Sequence, residues 1–272
     1  MSQLNTLFET KSSFCVGKIS ANLFNVIISS VPNSKLKPYY DYYRKLVCTN
    51  DGIYPYDDNV INEFCNRYMS ELNLLDACAI WNTHIAFEKQ LVNSSIHLHL
   101  REIEPYYWEQ PWTSILKDKK VLVISSKTQS IKNNFKNKDL IWPNGMLPDF
   151  ELLTLNFPDA YYMLDESKRV QLKFPSNANL LLDEYIEKMN NIDFDICLVG
   201  VGVFGLPLAI HAKKMNKIGI HLGGAIQILF GIKGGRWDSH DIISKFYNDH
   251  WTRPLPEETP KNHMYIENNC YW

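Results

Sequence analysis

Residues 195–237, DICLVGVGVFGLPLAIHAKKMNKIGIHLGGAIQILFGIKGGRW, decide the fold class. The run Ile196-Cys197-Leu198-Val199 is short and apolar, and Gly200-Val201-Gly202-Val203-Phe204-Gly205 closes it with G-x-G-x-x-G spacing. Leu206, Leu208, Ala209, Ala212 and Met215 then recur at roughly helical spacing, with Pro207 in the first turn, where proline is tolerated. A second apolar run, Ile218-Gly219-Ile220-His221-Leu222, ends in Gly223-Gly224. The order strand, turn, helix, strand, turn, helix predicts nucleotide-site geometry. Glycines let backbone N–H groups approach a phosphate, and a helix N-terminus favours its charge. Gly200, Gly202, Gly205, His221, Gly223, Gly224 and Gln227 are the nucleotide-binding candidates of this segment.

A dinucleotide site would also need an Asp or Glu at the end of the second strand to bind the adenosine ribose. No acidic residue stands between Gly205 and Asp238. An NAD(P)-dependent oxidoreductase is therefore the weaker alternative. Downstream, Gly231, Lys233, Gly234, Gly235 and Arg236 form a basic loop that reads as flexible and able to close on a diphosphate. Lysine supplies a mobile point charge and arginine a planar fork for phosphate oxygens, while Trp237 is placed to stack on a base or a sugar ring.

The rest of the chain extends the same alternation. Strands are expected at residues 14–19, 75–81, 95–100, 121–124 and 150–155, and helices at 23–31, 57–74 and 179–189, the second capped by Asp57 or Asp58. Strands interleaved with helices predict an α/β, Rossmann-like fold: a mainly parallel sheet with helices on both faces. The 272 residues are 45% hydrophobic and 21% charged with net charge −2, enough to bury a sizeable core. With no linker or low-complexity tract to cut at, one α/β domain is expected, residues 1–110 forming an acceptor-side half and 111–272 a nucleotide-binding half. Scattered basic residues exclude a nucleic-acid footprint. No stretch reaches the length of a membrane span, and Met1-Ser2-Gln3-Leu4-Asn5 lacks signal-peptide features, so a cytoplasmic location is expected. The six cysteines are widely spaced without C-x-x-C, which argues against a zinc ribbon or a redox pair, and Cys15, Cys78 and Cys197 read as buried small side chains.

Three polar constellations carry possible chemistry. Asp193-Phe194-Asp195 has the D-x-D pattern of metal-diphosphate sites but precedes its strand, whereas open α/β sheets bind ligands beyond the carboxyl ends. It reads as a solvated loop. Glu102 and Glu104 follow the 95–100 run and adjoin Tyr106, Tyr107 and Trp108, a pairing of acids and rings suited to saccharides, with either carboxylate a candidate base. His97 and His99 share one strand face, but no third ligand can be placed, so polar-face roles are expected.

Residues 105–131 (PYYWEQPWTSILKDKKVLVISSKTQSI), IWPN at 141–144, IHLGGAIQILFGIKGGRWD at 220–238 and the tail from FYNDHWTRPLPEETPKNH to NNCYW at 246–272 resemble proteins of surface-polysaccharide gene clusters. Those in turn are similar to GT-D-type glycosyltransferases. The resemblance implies transfer of a sugar from a nucleotide diphosphate donor, UDP-linked above all, to a glycan or glycoconjugate acceptor, commonly with Mn²⁺ or Mg²⁺ held by an Asp-x-Glu after the first strand. Here that position reads Lys18-Ile19-Ser20-Ala21-Asn22-Leu23. Electrostatic replacement of the metal by Lys18 at the diphosphate, and ligation by Glu102 or Glu104 from another strand, are equally open readings of that departure. Loss of catalysis, leaving a nucleotide-sugar-binding or scaffold protein, is the alternative.

Overall fold

The computed structural model describes residues 3–261 and 263–272. Met1 and Ser2 of the N-terminal reading, and Asn262 in the tail block, lie outside them. Among the described residues, seven strands run β1 (Phe14–Gly17), β2 (Ala77–Ile80), β3 (Ile96–His99), β4 (Lys120–Ser125), β5 (Glu151–Asn156), β6 (Ile196–Gly200) and β7 (Ile218–His221). The helices are α1 (Gln3–Thr10), α2 (Ala21–Ser30), α3 (Tyr40–Thr49), α4 (Asp58–Glu71), α5 (Ile85–Leu91), α6 (Thr128–Phe135), α7 (Lys138–Ile141), α8 (Ala160–Leu164), α9 (Glu166–Gln171), α10 (Ala178–Asn190), α11 (Gly205–Lys214) and α12 (Ala225–Leu229).

All strand pairs are parallel, in the order β3-β2-β1-β7-β6-β4-β5. The expected α/β, Rossmann-like sheet is therefore present. Alternate residues of each strand feed opposite cores: Leu122 and Ile124 pack on one face with Cys15, Cys78 and Cys197, and Val121 and Val123 on the other with Phe14, Val16 and Leu198. Burial on both faces explains why these strands read as continuous apolar runs. The three cysteines are fully buried, and burial pushes each thiol up, Cys78 to about 12.

Asp57 opens α4 as expected, its carboxylate accepting from the N–H groups of Asn59 (2.9 Å) and Val60 (3.1 Å). α11 lies unusually close to β7. A side chain on Gly219 would have its Cβ 1.9 Å from the carbonyl oxygen of Ala209, so the helix can sit there only because glycine has no Cβ. Register places Gly200 beside Ser125 and His221 beside Val199, so the strand ends that carry polar residues finish level with one another. Between β4 and β6 the chain leaves in opposite directions, β4 towards the β5 edge and β6 towards β7. That reversal opens a crevice at the carboxyl ends, where this class of sheet binds ligands.

Candidate functional site

A cavity of about 600 Å³ occupies this crevice. Five strand-end turns line it: Lys18–Asn22 after β1, Ser125–Lys127 after β4, Phe157–Ala160 after β5, Gly200–Gly202 after β6 and His221–Gln227 after β7. Trp81 after β2, Asp51 after α3, Arg236, and the tail residues Glu267, Tyr271 and Trp272 complete the wall. Residues of both sequence halves therefore build one site.

The glycine turn after β6 divides its labour. Gly202 sits at φ +55°, a left-handed conformation that glycine adopts without strain, and faces the carbonyl of Asp51. Gly205 is buried outside the cavity wall, where a Cβ would lie 2.4 Å from Nε2 of His221. Its role is helix-to-sheet packing, and the expected nucleotide contact at Gly205 gives way to the imidazole. His221 Nδ1 lies 3.1 Å from the carbonyl oxygen of Lys18, and a carbonyl can only accept, so Nδ1 carries the proton. Nε2 is then a buried acceptor with no hydrogen-bond partner among the described residues. Burial, and secondarily the charge of Lys18, lower the His221 pKa to about 3, so the ring is neutral at physiological pH.

Among the described residues, the cations Lys18, Lys127 and Arg236 face the cavity. Lys18 is held by burial below the usual lysine range, countered by Glu104 and reinforced by Arg236; its Nζ lies 5.2 Å from the Trp81 ring centroid. Lys127 is 5% exposed, 3.9 Å from Asp159, 3.2 Å from the Ser126 hydroxyl and 4.5 Å from the Trp272 ring centroid. Burial lowers its pKa, with Asp159 as the leading opposing charge. Arg236 donates to Glu267 (2.5 Å) and to the Cys270 sulfur (3.2 Å), with Tyr271 4.9 Å from its guanidinium carbon.

The basic loop at 231–237 is not open. Its backbone is pinned by Lys233 N to Thr252 O (2.7 Å), Gly235 N to Trp272 O (3.1 Å) and Arg236 N to Cys270 O (3.0 Å). The returning tail fills the space beside Gly234 and Gly235 and hydrogen-bonds Gln227 through the Tyr271 carbonyl at 3.0 Å. Lys233 consequently lies off the cavity wall, with Nζ 5.3 Å from the Tyr247 ring centroid. Trp237 is 6% exposed in the core beneath it, where stacking on a ligand gives way to packing near Tyr271.

Neither Glu102 nor Glu104 lines the cavity. Glu102 closes a capping box: its Oε2 accepts from His99 N at 2.7 Å while the His99 ring accepts from Arg101 N at 3.3 Å. That engagement, three residues from its partner, replaces the expected role as base. Glu104 is part-buried, and burial raises its pKa against the lowering charge of Lys18. His97 and His99 are exposed on the edge strand, as expected of polar-face residues. Asp193 and Asp195 lie at the opposite end of the sheet, with Asp193 2.5 Å from Lys120 and Asp195 accepting from Lys120 N at 2.9 Å.

Sequence reading missed Asp51, Trp81, Lys127, Asp159 and the tail residues Glu267, Tyr271 and Trp272. Lys127 and Asp159 had a local signal, each in a turn after an expected strand, and Trp81 ends another. Among the described residues no group of three or more His, Cys, Asp or Glu is placed to hold a metal ion. No helix of the described residues is long and apolar enough to cross a membrane. No protein-family model, curated protein or solved structure matches this chain.

Proposed function

We propose that this protein binds a nucleotide diphosphate sugar in the strand-end cavity and transfers the sugar to a hydroxyl of a glycan acceptor. What supports the reading is one observation: Lys18, Lys127 and Arg236 converge on a cavity at the sheet's reversal point, bounded by the turns at Gly200–Gly202 and His221–Gly224. Cations gathered where backbone glycines allow close approach suit a diphosphate, whose charge grows as it leaves the sugar. Lys18 and Arg236 are the leaving-group stabilisers of this mechanism, and Lys127 extends the positive wall. Trp81, 40% exposed at the cavity, offers a face for a sugar ring. The uridine base is taken from the GT-D resemblance alone.

A non-catalytic nucleotide-sugar-binding or scaffold role is favoured by one feature, the absence of an Asp-x-Glu after β1, where Lys18-Ile19-Ser20-Ala21-Asn22-Leu23 stands instead. A thermal-shift panel of nucleoside diphosphates, nucleotide sugars and NAD(P), each with and without Mn²⁺, tests the proposal, since a ligand that binds only the folded state raises the melting temperature. A rise with one nucleotide sugar is expected. A rise with NAD(P) alone would replace the transferase by an oxidoreductase.

A further inference from the structure

The turn after β1 has no carboxylate of its own, yet one is delivered to it. Ser20 donates its hydroxyl to Asp51 Oδ2 at 2.7 Å, and Asn22 donates its amide to Oδ1 at 3.2 Å. Both carboxylate oxygens are thereby oriented, and each keeps acceptor capacity beyond the bond it receives. The preceding residue of the same turn, Ile19, accepts from the Trp81 indole at 2.9 Å. Asp51 and the exposed Trp81 ring are thus hung from adjacent residues on one cavity wall. The opposite contact is equally fixed, because Gly202 lies against the Asp51 carbonyl.

Asp51 differs from the other acids of the site in charge balance. Asp159 faces Lys127 and Glu267 faces Arg236, whereas Asp51 has no ion pair among the described residues. Among the described residues, the titratable groups seen to act on it are Glu267 and Tyr271 of the tail, Tyr68 of α4 and Cys48 of α3, which carry no positive charge.

Resting on the nucleotide-sugar reading, we propose that Asp51 is the catalytic base that accepts the proton of the attacking acceptor hydroxyl. As the hydroxyl oxygen bonds to the anomeric carbon, its proton passes to Asp51. The bond from that carbon to the diphosphate oxygen breaks, and the leaving diphosphate takes the electron pair beside Lys18 and Arg236. Trp81 holds the acceptor's sugar face within reach of the carboxylate. Burial, partly offset by the Ser20 and Asn22 hydrogen bonds, raises the Asp51 pKa to about 7, the range in which a base works best near neutrality.

The test follows UDP release from UDP-glucose, UDP-galactose and UDP-N-acetylglucosamine, with water or methyl glycosides as acceptors, alongside UDP-induced thermal shifts. Wild-type turnover is expected to rise with pH through about 7. Asp51→Asn is expected to keep the UDP-induced shift and lose ~10²–10⁴-fold in turnover together with that pH limb. Formate is expected to restore part of the rate to Asp51→Ala. An Asp51→Asn enzyme within about threefold of wild type overturns the base assignment and leaves the donor site standing. A wild-type profile that is flat between about pH 5.5 and 8.5 overturns it without any variant, as does wild-type protein that binds UDP yet releases none from these donors. Absence of a UDP shift in the wild type removes the donor reading first, and the base assignment falls with it.

Discussion

The Nδ1 of His221, at the end of β7, donates to the main-chain carbonyl of Lys18, at the end of the neighbouring β1, across 3.1 Å. This bond ties together two cavity turns and fixes the tautomer of a ring that is 3% exposed. The folded-state pKa of about 3 lies below the unfolded value of about 6.5, so the neutral ring's contribution is fully present above pH 6.5 and is lost as pH falls towards 3. Wild type is expected to lose on the order of 1 kcal/mol per pH unit between about pH 6 and 4 from this residue. Urea denaturation of wild type and His221→Asn at several pH values measures it. Parallel pH dependences in the two proteins would exclude His221 as the source.

Asp51 has the opposite sign. Its folded pKa of about 7 exceeds the unfolded value, so the stability associated with its protonated form is complete below about pH 4 and is lost as pH rises through 7. Asp51→Asn, which cannot ionise, is expected to gain stability relative to wild type across that window, by roughly 1–2 kcal/mol after screening by solvent in the cavity. Melting temperatures of both proteins from pH 4 to about 8 provide the check. A constant difference would mean that Asp51 ionises normally.

Gly219→Ala is expected to destabilise by about 3 kcal/mol or more, because the new Cβ meets the main-chain oxygen of Ala209 and neither backbone is free to yield. The midpoint of urea unfolding reports the change. A loss below about 0.5 kcal/mol would show that α11 can shift away from the sheet.

Glu258 is the tail's anchor on α6. Its carboxylate accepts from the N–H groups of Gln129 (2.7 Å) and Ser130 (3.1 Å) and from the Ser130 hydroxyl. Its main-chain carbonyl accepts from the Trp272 indole at 3.0 Å. Glu258→Ala orphans those amides and is expected to cost about 2 kcal/mol, read by chemical denaturation. Unchanged stability would show that water replaces the carboxylate without loss.

The sheet was largely legible in the chain because both of its faces are buried, and strands such as residues 121–124 and 196–199 therefore announce themselves as unbroken apolar runs. The cavity was legible only where it is local. Gly200, Gly202, His221, Gly223, Gly224, Gln227, Lys18 and Arg236 follow strands or glycine turns and do line it. Asp51, by contrast, is 31 residues from the Ser20 that orients it, and Glu258 is 128 residues from the Ser130 it caps. Such partners are chosen by tertiary packing, which no periodicity records. The same cause misplaced the loop at 231–237: its glycines signal flexibility locally, yet they make room for the tail carbonyls of Asn269 and Cys270. Glu102 misled because an acid after a strand serves equally to cap a helical turn.

Calorimetric titration of UDP into wild type, Lys18→Ala and Lys127→Ala probes the diphosphate site itself. Stoichiometric binding to the wild type, weakened by about tenfold or more in each variant, is the predicted result, since each removes a charged partner of the diphosphate. No heat with the wild type, or binding that both variants leave unchanged, would contradict a diphosphate site in this cavity.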